Sequence, residues 1–324
     1  MKIIIITSSK LPVAKYGGTE RVLWSLGNEL HKLGHKVVIV AGPGSSCPFA
    51  EVIHWDGTSD FREIIPPDHD LIHFFSDFAG EVNSPYLVTQ QGNSQLGQVS
   101  SIQTVFVSMD HAARHGSDVF VHNGLDWSDV EVVNMPRKDF HFLGKAAWRR
   151  KNVRGAISVT KRLHGKNLHV LGGHRLNFSM GFRFTASPRV KFHGMVDDTY
   201  KQRIMQQSQG LVFPVRWNEP FGLAITESLY CGCPVFGTPY GSLPELVTSE
   251  VGFLSSKSID LVEAMESADE WSSLTCRDYA VENFNSRRMA LKYLDIYEQV
   301  VDGKVLNKTA PKLLDDETGL LHFK

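Results

Sequence analysis

Short apolar runs alternate along the chain with longer stretches in which apolar positions recur every three or four residues. Ile3–Thr7 is the first run and Lys36–Ala41 the second. Between them Val22, Leu23, Leu26, Leu30 and Leu33 line one side of a helix from about Gly18 to Leu33. Gly34 follows, where a left-handed cap favours glycine. Apolar runs without polar alternation predict strands covered on both faces, and strand, helix, strand in succession predicts a parallel sheet. Further strands are expected at Glu51–Trp55, Asp70–Phe75, Tyr86–Thr89, Thr104–Ser108 and Asp118–His122, before the turn signal His122-Asn123-Gly124.

A polar, proline-broken seam, Asn134-Met135-Pro136-Arg137-Lys138-Asp139, interrupts this rhythm. Beyond it strands are expected at His141–Gly144, Leu168–Gly172, Val190–His193, Gly210–Pro214, Pro234–Gly237 and Gly252–Leu254. Met289, Leu291, Leu294, Ile296, Tyr297 and Val300 then mark a helix over Ser286–Val301. The expected organisation is α/β: two doubly wound, Rossmann-like domains facing a cleft, at residues 1–135 and 136–285. Residues 286–324 hold a helix packing back on the first domain, and a tail after Gly303 whose pattern assigns it no role. Ligands of such sheets bind beyond the carboxyl ends of the strands, where strand order reverses.

With 324 residues, two domains of ordinary size are expected. The 34 Lys and Arg against 35 Asp and Glu leave a net charge of −1, so no global field draws nucleic acid. Four cysteines in a chain this long make no disulfide framework, which suits a reducing cytoplasm. The apolar start is too short for a secretory signal, and no run approaches the roughly 20 residues of a membrane span. Peripheral contact with a membrane, at its cytoplasmic face, stays open.

Three segments carry candidate chemistry. Tyr16-Gly17-Gly18-Thr19-Glu20-Arg21 lies between a strand and a helix start, where close backbone approach and unpaired N–H groups suit a phosphate or serve a plain turn. Gly144-Lys145-Ala146-Ala147-Trp148-Arg149-Arg150-Lys151-Asn152 sets four cations after a strand, suited to a diphosphate; a solvated basic loop is the alternative. The most particular is Asn218-Glu219-Pro220-Phe221-Gly222-Leu223-Ala224-Ile225-Thr226-Glu227, followed by Cys231-Gly232-Cys233-Pro234. Glu219 sits in the loop and Glu227 about one turn into the helix. A carboxylate can accept from both hydroxyls of a sugar diol, and helix-start N–H groups at Phe221, Gly222 and Leu223 suit hydroxyl or phosphate oxygens.

Other signals are weaker. Asp68-His69-Asp70 has the letters of a metal-binding motif but follows two prolines into a strand, so no metal is expected there. Cys231-Gly232-Cys233 lacks metal-site spacing. His73 fits a core position or a ligand equally, and His111 and His115 are expected at the surface.

Glu219 and Glu227 within Glu-Pro-Phe-Gly-Leu-Ala-Ile-Thr-Glu resemble the E-x7-E signature of retaining GT-B glycosyltransferases of family 4. Gly17-Gly18, Gly34-His35-Lys36-Val37, His122-Asn123-Gly124-Leu125-Asp126, Phe142-Leu143-Gly144-Lys145, Val190-Lys191-Phe192-His193-Gly194 and Gly241-Ser242-Leu243-Pro244-Glu245 agree with that family in order, from roughly Lys2 to Val301. The resemblance implies a nucleotide-diphosphate sugar as donor, UDP-sugar favoured, a glycan or lipid-linked acceptor, and no further cofactor. Lys151 would pair with the diphosphate, beside Lys145 and Arg150. Glu227 would hold the ribose. Glu219, with the backbone of Phe221, Gly222 and Leu223, would hold the sugar. Phe192–Val196, including Met195, would line the base, with Asp198 close by. Gly17 and Gly18 would approach the diphosphate from the other domain.

Two departures bear on catalysis. Lys145 stands where the family has arginine, so the bidentate fork is lost, although Arg149 or Arg150 can supply charge. Gln91 stands where the family often has histidine; it can bond a sugar but carries no proton. A retaining enzyme of this kind needs no protein base, because the departing diphosphate can take the acceptor's proton. The alternatives are a weakened nucleotide-sugar-binding relative, for which Gln91 speaks, and a nucleotide-sugar epimerase on the same architecture.

Overall fold

The computed structural model describes the chain apart from residues 14–16, 76–77, 79–81, 129–134 and 316–317. Tyr16 of the first glycine motif and Asn134 of the seam therefore lie outside the described residues. The chain divides into two compact units, Met1–Asp126 with Phe284–Asp316, and Trp127–Asn283 with Glu317–Lys324.

In the first unit six parallel strands, β1 (Lys2–Ile6), β2 (Lys36–Ala41), β3 (Glu51–His54), β4 (Leu71–Phe74), β5 (Tyr86–Gln90) and β6 (Thr104–Phe106), lie in the order β3-β2-β1-β4-β5-β6. β1 is central, and Ile3, Ile4 and Ile5 are fully buried because both faces of the sheet are covered. α1 (Gly18–Lys32) buries Val22, Leu23, Leu26 and Leu30. α2 (Met109–Arg114) follows β6, capped by Ser108, whose hydroxyl accepts from the His111 N–H.

The second unit repeats the plan. After β7 (Asp139–Leu143), α3 (Val153–Arg162) and β8 (Leu168–Leu171) comes a two-stranded antiparallel hairpin, β9 (Leu176–Asn177) with β10 (Arg183–Phe184). Then follow β11 (Val190–Phe192), α4 (Asp198–Gln206), β12 (Ser208–Phe213), α5 (Leu223–Tyr230), β13 (Val235–Gly237), α6 (Leu243–Leu246), β14 (Gly252–Leu254), α7 (Ser258–Glu266) and α8 (Ser273–Asn283). The parallel sheet runs β11-β8-β7-β12-β13-β14, so strand order reverses between β7 and β12 as it does between β1 and β4. Phe140, Phe142, Val170, Val212 and Phe236 form its core with Val153, Ala156 and Val159 of α3 and Leu261 and Met265 of α7.

α9 (Ser286–Val301) belongs to the first unit and packs on α1 and β5. Its fully buried Tyr293 and Tyr297 reach a polar cluster inside the unit: Tyr297 Oη lies 2.7 Å from His73 Nδ1, Thr89 Oγ1 lies 2.7 Å from His73 Nε2, and Tyr293 Oη lies 2.8 Å from Thr89. His73 is thus a satisfied core residue, and burial pushes its pKa down to about 3.

Three expectations are corrected. Asp118–His122 forms no strand; only Phe120 pairs, as an isolated bridge to Phe106. His111 and His115 are buried, not at the surface, with their rings packed edge-on to each other and both against Phe106. The tail is also built into the fold. Asn307 is buried, donates to the carbonyls of Ile102 and Thr104 at 3.0 and 2.9 Å, and accepts from Ser117. Farther on, the Leu321 N–H donates to the Arg216 carbonyl and the Arg216 guanidinium donates to the Leu321 carbonyl, and Phe323 packs against the core of the second unit.

Candidate functional site

The reversal of strand order in the second unit opens its sheet at the carboxyl ends of β7 and β12. The segments leaving these two strands carry Lys151 and Glu219. Lys151 closes a 3-10 turn at Arg149–Lys151, and Asn152 ends that turn in the left-handed region (φ 54°). The Asn152 side chain caps α3 through the Gly155 N–H and donates to the Pro214 carbonyl at 2.9 Å. That bond ties the basic segment to the exit of β12, and the Arg216 N–H adds a 2.7 Å bond to the Arg150 carbonyl.

These ties bring Lys151 Nζ to 2.6 Å from Glu219 Oε2. The Trp217 indole N–H donates to the same oxygen at 2.8 Å. The ammonium also sits over the rings of Phe213 and Trp217, each 5.2 Å away. Both residues are buried. In such a setting attraction must offset desolvation, and breaking the pair from one side costs about 3–5 kcal/mol. Arg150, half-buried, stacks over Trp217 at 5.7 Å, while Lys145 and Arg149 are exposed, so the rim stays cationic although Lys151 is paired.

Glu219 is held from behind as well. Its backbone pairs with Gly241, and its carbonyl accepts from the Ser242 N–H at 2.9 Å. Gly241 has φ +64°, and a Cβ there would stand 2.2 Å from the Glu219 nitrogen, so only glycine fits. Ser242 Oγ donates to the Phe221 carbonyl at 2.6 Å and fixes the entry to α5. Gly222 caps α5 with φ 91°, also in the left-handed region. Glu227, on the buried side of α5, accepts from Lys201 Nζ at 2.6 Å; Lys201, on α4, also pairs with Asp198 at 2.6 Å. The site thus holds two buried Lys–Glu pairs, on elements that flank β12.

Gly144, Gly172 and Gly194 carry the carboxyl ends of β7, β8 and β11. The Ala146 N–H donates to the Gly172 carbonyl at 2.9 Å and the Gly172 N–H to the Gly194 carbonyl at 2.8 Å. Met195 follows, exposed. Lys145, Arg150, Lys151, Met195, Glu219, Phe221, Gly222, Leu223 and Glu227 therefore all sit at one end of one sheet. Gln91, Gly17 and Gly18 belong to the first unit. Gln91 exchanges amide bonds with buried Asn123 at 3.0 and 3.2 Å. Gly17 caps α1 in extended backbone, and a Cβ there would meet the side chains of Glu20 and Val13 at 2.7 and 2.8 Å, which would have to shift.

Lys201, Trp217 and the supporting role of Gly241 escape the sequence. Lys201 looks like any surface lysine on a polar helix, and Asp197 before it is a cap signal; Asp198, placed near the base by the resemblance, pairs with Lys201. The weaker motifs are structural. Asp68 pairs with the Lys2 ammonium, Asp70 accepts from the Lys2 N–H at 2.7 Å, and His69 bonds Pro66 and Ser84. Arg137 donates to the Cys231 carbonyl and the Cys233 sulfur, and burial pushes the Cys233 thiol up to about 11.

Residues 137–268 match the family model described as glycosyl transferases group 1. The match lies within the second unit and covers less than half of the chain. All the site residues of this unit named above fall within the matched residues. Over 116 residues the chain is 28% identical to an uncharacterized 41.2 kDa protein in the cps region of Klebsiella pneumoniae, and it spans 32% of that relative's length. The structure is similar to a glycosyltransferase involved in avilamycin A biosynthesis, with TM-score 0.77 and 19% identity, covering 94% of this chain and 98% of that one. It is also similar to HepE of Anabaena in complex with UDP-glucose, with TM-score 0.66 and 13% identity, covering 92% and 100%. These likenesses, with two six-stranded parallel sheets, establish the GT-B fold for the chain.

Proposed function

We propose that this chain is a retaining, metal-independent glycosyltransferase that moves a sugar from a UDP-sugar to a hydroxyl of a glycan or lipid-linked acceptor. The observation that carries this is the pair of buried carboxylates, Glu219 and Glu227, each ion-paired to a lysine at 2.6 Å where strand order reverses in the second unit. Glu219 binds the hydroxyls of the donor sugar and Glu227 those of the ribose. The diphosphate lies against Lys151, Arg150 and Lys145. UDP is favoured as the nucleotide because HepE, of the same fold, is described with UDP-glucose.

In the reaction the bond from the anomeric carbon to the diphosphate oxygen breaks and a bond to the acceptor oxygen forms on the same face. The acceptor's proton passes to the departing diphosphate, so no side chain need act as base. Lys151 and the basic rim stabilise the charge that collects on the leaving group, a contribution of about 3 kcal/mol for one well-placed group. A weakened, donor-binding relative is the second reading, favoured by Gln91, whose amide bonds Asn123 and cannot act as an acid or base near neutral pH.

A thermal-shift panel of UDP, GDP and ADP with their sugars tests the donor. UDP at 100 times its Kd stabilises by about 2.7 kcal/mol, and a flat response to all three contradicts the proposal. Release of UDP from UDP-sugar above the uncatalysed rate separates the enzyme from the weakened relative. The anomeric configuration of the product, read by NMR, tests retention.

A further inference from the structure

The crossover from β8 to β11 carries a hairpin where parallel strands are usually joined by a helix. Leu176 and Phe184 are cross-strand partners, and Phe182 lies two residues from Phe184, so all three project from one face. The Phe178 ring lies 5.7 Å from that of Phe182. Every one of these side chains is exposed, from 47% for Leu176 to 74% for Phe178, and Met180 at the tip is 52% exposed. Arg183, on the opposite face, is buried against Phe192 at 4.9 Å. The loop is braced by Asn177, which donates to the carbonyls of Ser179 and Gly181 at 2.6 and 3.1 Å. A hairpin with an apolar outer face of this size calls for a covering surface.

Charge says which surface. Residues 140–196 hold twelve Lys and Arg and no Asp or Glu, in a chain whose net charge is −1. Part of this charge stands beside the apolar face. Arg154 donates to the Phe182 carbonyl at 2.8 Å, and a cavity of about 320 Å³ is lined by Arg149, Arg154 and Arg216 together with Met180 and Phe182. Apolar side chains that enter the acyl boundary, beside guanidinium groups at the depth of the phosphates, are the features that hold a protein on an anionic bilayer.

We propose that hairpin β9–β10 is a wedge that seats the second unit on an anionic lipid bilayer, with Phe178, Met180, Phe182 and Phe184 in the interface and Arg154 on a lipid phosphate. The test is co-sedimentation of the full chain with vesicles of phosphatidylglycerol and phosphatidylcholine, against vesicles of phosphatidylcholine alone. The wild type sediments with the anionic vesicles, less so as salt rises. Phe178→Ser with Phe182→Ser lowers the apparent affinity by about tenfold or more, while stabilisation by UDP is unchanged. A Met180→Cys label in a Cys47→Ser background gives a second readout, its emission shifting to the blue on anionic vesicles. Equal sedimentation with both vesicle types, undiminished binding by the double variant, or a label that does not shift overturns the proposal. So does a dimer in solution that the double variant dissociates, because the face is then covered by a second copy.

Discussion

Lys151 and Glu219 share one buried ion pair, so removing the ammonium has two separable consequences. Lys151→Ala is expected to lower kcat/KM about a hundredfold through lost stabilisation of the leaving group. It also leaves a carboxylate buried with Trp217 as a donor but without its counter-cation, a folding cost of about 3–5 kcal/mol. Adding Glu219→Gln restores much of the stability and none of the activity, measured by denaturant titration beside steady-state kinetics. Stability and activity returning together would contradict a role for Lys151 on the diphosphate. Gly241→Ala should disturb the same site without touching a charge, because its Cβ meets the Glu219 backbone at 2.2 Å. An unstrained replacement of glycine by alanine stabilises by about 0.4–1 kcal/mol; here, with positive φ and this clash, the change is expected to destabilise instead and to raise KM for the donor. A donor KM equal to that of the wild type would show that the Gly241 contact does not position Glu219.

Among the elements, β4 and β7 each carry a fully buried histidine that burial holds neutral, His73 and His141, both with a pKa pushed down to about 3. The unfolded chain protonates these rings near pH 6.5, the native chain near 3, so stability is complete above pH 6.5 and falls as pH drops below it. Each ring accounts for about 2 kcal/mol of loss by pH 5. His73→Gln should flatten the stability curve between pH 6.5 and 5, and an unaltered slope in denaturant titrations at several pH values would refute this. The strands around these residues were legible because runs such as Ile3–Ile6 and Lys36–Ala41 are apolar without alternation, the mark of a sheet covered on both sides. The Glu219-to-Glu227 loop and helix were legible for a similar local reason, since Pro220, Gly222 and the apolar helix face all lie within ten residues. What failed was non-local. His111 and His115 are buried because β6 and the tail enclose α2, which no window around α2 can reveal. Lys201 meets Glu227 from 26 residues away. The apolar run at Asp118–His122 found one bridging residue and no full neighbour strand.

For the molecule as a whole, the same strand order in both sheets sets a ligand-binding edge in each unit, and the charged chemistry described above gathers at that of the second. The tail contributes to both folds, residue by residue. Phe323 packs on the second unit's core, where a Cβ at Gly155 would meet its ring at 2.8 Å. Phe323→Ala should cost less than the roughly 3–5 kcal/mol of a fully buried phenylalanine. Hydrogen exchange should then quicken in α3 and α7 and stay unchanged in β1 to β6; uniform quickening would show that the tail does not act locally. The donor site itself is tested most directly by calorimetric titration of the full chain with UDP, wild type against Glu227→Gln. Saturable binding by the wild type, weakened at least about tenfold by loss of one charged hydrogen-bonding group, is the expected result. No binding by the wild type, or equal binding by both proteins, would contradict the placement of the nucleotide at Glu227.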